Sequence, residues 1–100
     1  MGDIGVVRWL AEVRVSLRSG IADPEGQTIG SALRSLGYTG VSDVRTGKLM
    51  RVDFEADDHV AAESAIEDMC RRLLANPVME VATWELRADE QPDREPAMPA

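Results

Sequence analysis

Trp9-Leu10-Ala11-Glu12-Val13-Arg14-Val15-Ser16-Leu17 is the stretch whose reading decides the fold. Trp9, Ala11, Val13, Val15 and Leu17 alternate with Leu10, Glu12, Arg14 and Ser16, the period of two that puts one face of a strand into a core. Downstream, Ser19 to Gly26 breaks the alternation. There Asp23-Pro24-Glu25 reads as the N-cap, the N1 proline and the first-turn acid of a helix. Ile29, Ala32, Leu33 and Leu36 follow at helical spacing and Gly37 supplies a stop, so the helix is expected over 24–36.

Val41–Thr46 and Leu49–Glu55 are two short extended runs around Gly47-Lys48, with Met50, Val52 and Phe54 alternating against Arg51, Asp53 and Glu55. That pattern predicts a β-hairpin. Asp57 or Asp58 can cap a second helix whose buried stripe is Ile66, Met69, Cys70 and Leu73, and Asn76-Pro77 ends it. Val78–Arg87 is extended again, with Ala82, Trp84 and Leu86 on one face and Met79, Val81 and Thr83 on the other. The resulting order, βαββαβ, predicts an α+β two-layer sandwich, an antiparallel sheet with two helices on one face in the ferredoxin-like manner. The second face, carrying Leu10, Glu12, Arg14, Leu49, Arg51, Met79 and Val81, mixes charge with apolar residues and reads as a partner surface.

Outside this body, residues 1–10 read as an N-terminal extension and 88–100 as an acidic, proline-rich tail with no apolar period, leaving 11–87 as the domain. The whole chain is 100 residues, enough for one small core but with little surplus burial for a deep substrate cleft, so self-association is expected. Its net charge of −7 disfavours nucleic acid and anionic membranes as partners. The charge is uneven, the first 52 residues carrying seven basic and five acidic groups and the remainder four and thirteen.

The residues able to carry chemistry are few. A single cysteine, Cys70, and a single histidine, His59, cannot make a disulfide framework or an ordinary zinc site, and they fit a reducing, cytoplasmic setting. Cys70 lies on an apolar stripe and reads as core; His59 reads as an exposed first-turn residue. Seven acids between Asp53 and Asp68 follow no EF-hand spacing and read as a solvated helix face. No apolar run is long enough for a membrane span, no phosphate-cradling loop occurs, and Trp9, Phe54 and Trp84 fall on core positions, not on an RNA-stacking surface. No metal site and no catalytic residue is expected.

Three strings carry a resemblance. Asp23-Pro24-Glu25-Gly26 with Ile29, then Ser42-Asp43-Val44-Arg45-Thr46-Gly47-Lys48, then Leu73-Leu74-Ala75-Asn76-Pro77-Val78-Met79-Glu80 resemble the PurS family, small subunits of phosphoribosylformylglycinamidine synthase, over about residues 11–87. Ala22, Pro77 and Met79 depart from that family's pattern. The resemblance implies a non-catalytic subunit, dimeric or tetrameric by itself, that joins a glutaminase subunit to a large synthetase subunit and helps ammonia pass between them. The complex would convert formylglycinamide ribonucleotide to its amidine, with ATP, Mg and glutamine used by the partner subunits and no cofactor on this chain. It also marks Asp23, Pro24, Gly26, Asp43, Arg45, Gly47, Lys48 and Asn76 as motif or partner-contact positions. On this reading Gly47 permits a turn in the hairpin. Arg45 and Lys48 are then cations free to meet another chain. Two other readings stay open: a ligand-sensing βαββαβ regulatory domain, and a hetero-oligomer adaptor outside purine synthesis.

Overall fold

The computed structural model describes residues 7–88, and the statements below concern those residues. Along the chain lie β1 (Val7–Leu17), α1 (Pro24–Ser35), β2 (Gly47–Ala56), α2 (His59–Met69), a π-helical turn (Cys70–Leu74) and β3 (Glu80–Ala88). The strands form one antiparallel sheet in the order β2-β1-β3. Register explains why β1 is central: Val13 lies opposite Met50 and Trp84, and Ala11 opposite Val52 and Leu86, so the apolar residues of all three strands share one face. A slip of one residue would turn that whole set to solvent. Ile66 and Cys70 of the second helical segment close over Ala11, Val13 and Val15, and the flanking strands pack around them. Trp9, buried at the far end of this layer, donates its indole N–H to the Ala56 carbonyl (3.3 Å) and meets the edge of the His59 ring.

The two-layer α+β arrangement, with an antiparallel sheet and two helices, is the one expected from the sequence. Its details differ in four places. No strand forms over 41–46, so the sheet has three strands and no hairpin at Gly47-Lys48. The Thr46 N–H that a hairpin would give to a ladder goes instead to the Asp23 carboxylate at 2.6 Å. Second, α2 lies on the sheet, whereas α1 stands off its end and packs along the 41–46 segment, with Gly26 and Gly30 facing Val44. Third, β1 begins at Val7, which takes Val7–Leu10 out of the expected extension and pairs Val7 with Ala56 and Arg8 with Glu55. Ala88, the first residue of the expected tail, closes β3 opposite Trp9. The rest of the extension and of the tail lies outside the described residues.

The fourth difference is on the second helix. Leu73, expected on the buried stripe, is 82% exposed, and Leu74 packs against the core in its place. The π turn is the reason. Ala75 N–H bonds to the Cys70 carbonyl (3.1 Å), an i to i+5 closure that inserts a residue into the turn and rotates all that follows. Both helices are capped as expected, α1 by Asp23 and α2 by Asp58, whose carboxylate accepts from Ala61 N–H at 2.8 Å. Gly37, at φ +107°, closes α1 with Tyr38 N–H on the Leu33 carbonyl and Gly37 N–H on that of Arg34, a Schellman stop.

The sheet face away from α2 bears a charged ladder. Glu12 lies between Arg14 (3.6 Å) and Arg51 (4.0 Å), and Arg14 also reaches Glu85 at 3.8 Å.

The burial pattern separates two neighbouring apolar positions by their mutational cost. Ile66→Ala, which empties a fully buried site, is expected to cost about 2–5 kcal/mol in denaturant unfolding, and Leu73→Ala no more than about 0.5 kcal/mol. Equal losses at the two positions would contradict the π-turn register.

Candidate functional site

The three marked strings, distant in sequence, meet at one end of the sheet, where Leu17 faces Glu80 and Ser16 faces Gly47. Asp23 is the junction. Its carboxylate accepts from Gly26 N–H (2.9 Å), from Thr46 N–H (2.6 Å) and from the Thr46 hydroxyl (3.0 Å), so one side chain caps α1 and anchors the chain's return to the sheet. These donors favour the ionised form. The Thr46 amide foremost, then the Gly26 amide, hold the Asp23 carboxyl below its ordinary 3.8 against the opposing effect of burial, with smaller help from the Thr46 hydroxyl and the Arg45 charge.

The two glycines of these strings are needed for close approach. A Cβ on Gly26 would collide with the Val44 carbonyl oxygen, and one on Gly47 would come within 2.8 Å of the Val15 carbonyl oxygen. Gly47 has no positive φ, so its place here is to let β2 begin tight against β1 and not to form the expected turn. Pro24 occupies the first turn of α1, as read.

Arg45 reaches inward. Its Nη2 donates to the Ile21 carbonyl at 3.0 Å and to that of Arg18 at 3.4 Å, which fastens the β1–α1 connection to the returning segment. Arg18 in turn sends Nε and Nη2 to the Pro77 carbonyl (3.0 and 2.9 Å), and its N–H meets the Met79 carbonyl. Asn76 shapes the third string: its side-chain oxygen accepts from Val78 N–H, its carbonyl accepts from Met79 and Glu80, and its N–H donates to the Glu80 carboxylate. Asp43 and Lys48 are exposed, and neither forms an ion pair among the described residues. Asp43 and Arg45, two apart in the chain, form no ion pair with each other.

Thr46 and Glu80, quoted within the strings but not marked as contact positions, and Arg18, outside them, are structural parts of this junction. A signal existed for the first of them. Capping α1 satisfies one carboxylate oxygen of Asp23, and a buried second oxygen requires another donor. A cleft of about 410 Å³ opens beside the junction, lined by Val15, Leu17, Asp23, Thr46, Lys48 and Glu80.

Elsewhere, Cys70 is a buried free thiol whose pKa burial pushes up, which keeps it protonated and unreactive. His59 begins α2, exposed, with Glu63 at 3.8 Å. The acids from Asp53 to Asp68 are dispersed: Asp53 and Glu55 lie opposite Leu10 and Arg8, Asp58 caps α2, and Asp68 holds Arg71 and Arg72. Among the described residues no group of three or more histidine, cysteine, aspartate or glutamate side chains could hold a metal ion, and no helix is long and apolar enough to cross a membrane.

Fold and junction together define a small α+β module whose motif residues build and brace a surface. Comparison with known proteins places the module. The family model PurS, described as phosphoribosylformylglycinamidine (FGAM) synthase, matches residues 10–88. The PurS subunit of that synthase from Archaeoglobus fulgidus is 46% identical over 71% of this chain and 89% of its own length, and that from Mycobacterium leprae is 46% identical over 81% and 96%. Among solved structures, Bacillus subtilis PurS superposes with a TM-score of 0.71 at 37% identity, covering 79% of this chain and 98% of that one. A chain of the structure of PurLQS from Thermotoga maritima gives 0.69 at 32% identity, covering 81% and 96%. This chain belongs to the PurS family.

The junction makes a signed prediction about pH. A carboxyl whose folded pKa lies below its unfolded value stabilises fully above the unfolded value and loses that contribution as pH falls through the folded one. The stability gap between the wild type and Asp23→Asn is therefore expected to be constant above about pH 5 and to close as the pH drops below the ordinary carboxylate value. Denaturant midpoints across pH 2–7 measure it, and a gap that widens toward acid would refute the assignment. Arg45→Ala is expected to lower stability by about 0.5–1.5 kcal/mol, because it frees carbonyls of its own chain.

Proposed function

We propose that this chain is the small, non-catalytic subunit of phosphoribosylformylglycinamidine synthase in purine biosynthesis, acting in the cytoplasm as a bracket between a glutaminase subunit and a synthetase subunit. In that role it holds the two larger chains in the relation that lets ammonia released from glutamine reach the ATP-dependent site. ATP, Mg and glutamine belong to those partners, and this chain contributes surface. The observation that carries the reading is the family match over residues 10–88, nearly the whole described domain, with the three motif strings gathered at one end of the sheet. The chemistry agrees: the lone thiol is buried and protonated, and His59 packs on Trp9 and not on a nucleophile. Asp43 and Lys48, exposed and without an ion pair among the described residues, are motif positions with side chains available to a partner.

Reconstitution with purified glutaminase and synthetase subunits tests this. Adding the chain is expected to raise glutamine-dependent turnover at least tenfold while changing turnover on added ammonium salt by less than about threefold, the split expected when positioning and not chemistry is supplied. His59→Ala and Cys70→Ala are expected to support activity within a few-fold of wild type. No effect of the chain on glutamine-dependent turnover, together with saturable binding of a small metabolite to the isolated protein, would favour a ligand-sensing regulatory domain and sink the bracket.

A further inference from the structure

Leu10 is an apolar residue on the charged face of the sheet. It lies on the side turned away from α2, with Asp53 opposite on β2, Arg87 opposite on β3 and Arg8 and Glu12 next to it along that face of β1. It is nevertheless only 8% exposed. Beside it a cleft of about 150 Å³ opens between β1 and β3, lined by Leu10, Glu12, Glu85, Leu86 and Arg87. The apolar stems of the long charged side chains wall this cleft and Leu10 gives it an apolar floor, a seat on the scale of one side chain.

The charges around the seat differ from those farther along the face. Arg14 pairs with Glu12 and Glu85, and Arg51 with Glu12. Arg8 and Arg87, which flank Leu10, form no ion pair among the described residues, although Glu55 lies opposite Arg8. The chain leaves the sheet at this point. Strand β3 ends at Ala88, opposite Trp9 and one residue past Arg87, so that the sequence 89–100 starts beside the seat. That sequence holds four acids, Asp89, Glu90, Asp93 and Glu95, against the single base Arg94, and its one large apolar side chain is Met98.

We propose that segment 89–100 turns back over the open face of its own sheet, sets its acids against Arg8 and Arg87, and seats Met98 on Leu10 in the cleft. Reach does not limit it: the segment can span at most roughly 40 Å, and Leu10 is one row from Trp9, which Ala88 faces. Charge selects it. The acids meet the two arginines that have no carboxylate of their own, while the neutral thioether enters between Glu12 and Glu85 without adding to their repulsion. A methionine suits a seat of irregular shape, because its unbranched side chain adapts to the gap it fills. Pro92, Pro96 and Pro99 restrict the backbone before it docks and so reduce the ordering cost, and the covalent tether gives the segment an effective concentration that a separate chain does not have. The occupant is supplied by the chain itself, and another chain reaches this end of the face only by displacing it. The segment lies beyond residues 10–88, which the family model matches, so the inference stands or falls separately from the metabolic role.

Methyl NMR of the full chain tests it. A nuclear Overhauser cross-peak between the Met98 ε-methyl and the Leu10 δ-methyls is expected in wild type and absent in Met98→Asp, and the Leu10 methyl resonances are expected to move alike in Met98→Asp and in a chain stopped after Ala88. Arg8→Gln/Arg87→Gln is expected to weaken the cross-peak at least twofold at low ionic strength, where charge pairs on a surface are least screened. A Met98 methyl without contact to the sheet, or Leu10 resonances indifferent to loss of the segment, would overturn the proposal. So would a cross-peak unchanged in the arginine variant, or contacts from Leu10 to Ile4 or Val6 in place of Met98, which would assign the seat to the other end of the chain. Isotope-filtered spectra of mixed labelled and unlabelled chains separate the last case: a Met98–Leu10 contact found only between copies would refute docking on the segment's own sheet.

Discussion

Asp23 is a buried residue, 3% exposed, and a buried carboxylate is costly to keep ionised; three donors from two separate stretches of chain keep it so. Gly26 N–H comes from the helix that Asp23 caps, whereas the Thr46 amide and hydroxyl come from a segment 23 residues away, across α1 and its return. Removing either set would leave a buried charge underserved, so the two stretches are held together by the same group. The close approach is absolute at Gly26, where any side chain would strike the Val44 carbonyl. The entry of α1, the path of 41–46 and the start of β2 therefore form one unit.

That unit accounts for what the rest of the molecule does. Asp23 and, through the Ile21 carbonyl, Arg45 fix the base of α1, which stands off the end of the sheet. The core is accordingly made by β1 and the segment from Ile66 to Ala75, and it is thin: its largest fully buried side chains are Ile66, Val13 and Val15. A module with so small an interior has little surplus burial of its own. Its sheet also has two free edges, β2 and β3, of which β2 alternates Arg51, Asp53 and Glu55 outward from the core face, the kind of charge that discourages indiscriminate strand pairing.

How legible this was in the sequence depended on whether the deciding partner was local. The alternation of Trp9 to Leu17, the Asp-Pro start of α1 and the Asp58 cap are local signals, and each element lies where they put it. Val41–Thr46 has the composition of a strand, but its amide partner is the Asp23 side chain, which no pattern within the segment reveals. Leu73 and Leu74 are equivalent by composition, and the π turn that chooses between them is a single shifted hydrogen bond at Ala75. Among the motif residues, Arg45 reads in the sequence as one of few cations free to meet another chain. Its acceptors are backbone carbonyls, which sequence cannot display. Val7 and Arg8 joined β1 through the ladder with Ala56 and Glu55, again a matter of what lies opposite.

The charged ladder on the open face is built from weak, exposed pairs. Glu12 and Glu85 lie directly opposite each other on β1 and β3, a repulsive pair. Arg14, one pleat along, reaches both, and Arg51 adds a second cation to Glu12. Each of these exposed pairs contributes no more than about 1 kcal/mol, so none locks its neighbour. The face carries Arg8, Arg14, Arg51 and Arg87 against Glu12, Asp53, Glu55 and Glu85, a balance of four against four in a chain whose total is −7. The ladder therefore balances its own charge without fixing the strands, and it is the apolar face beneath that keeps them in register.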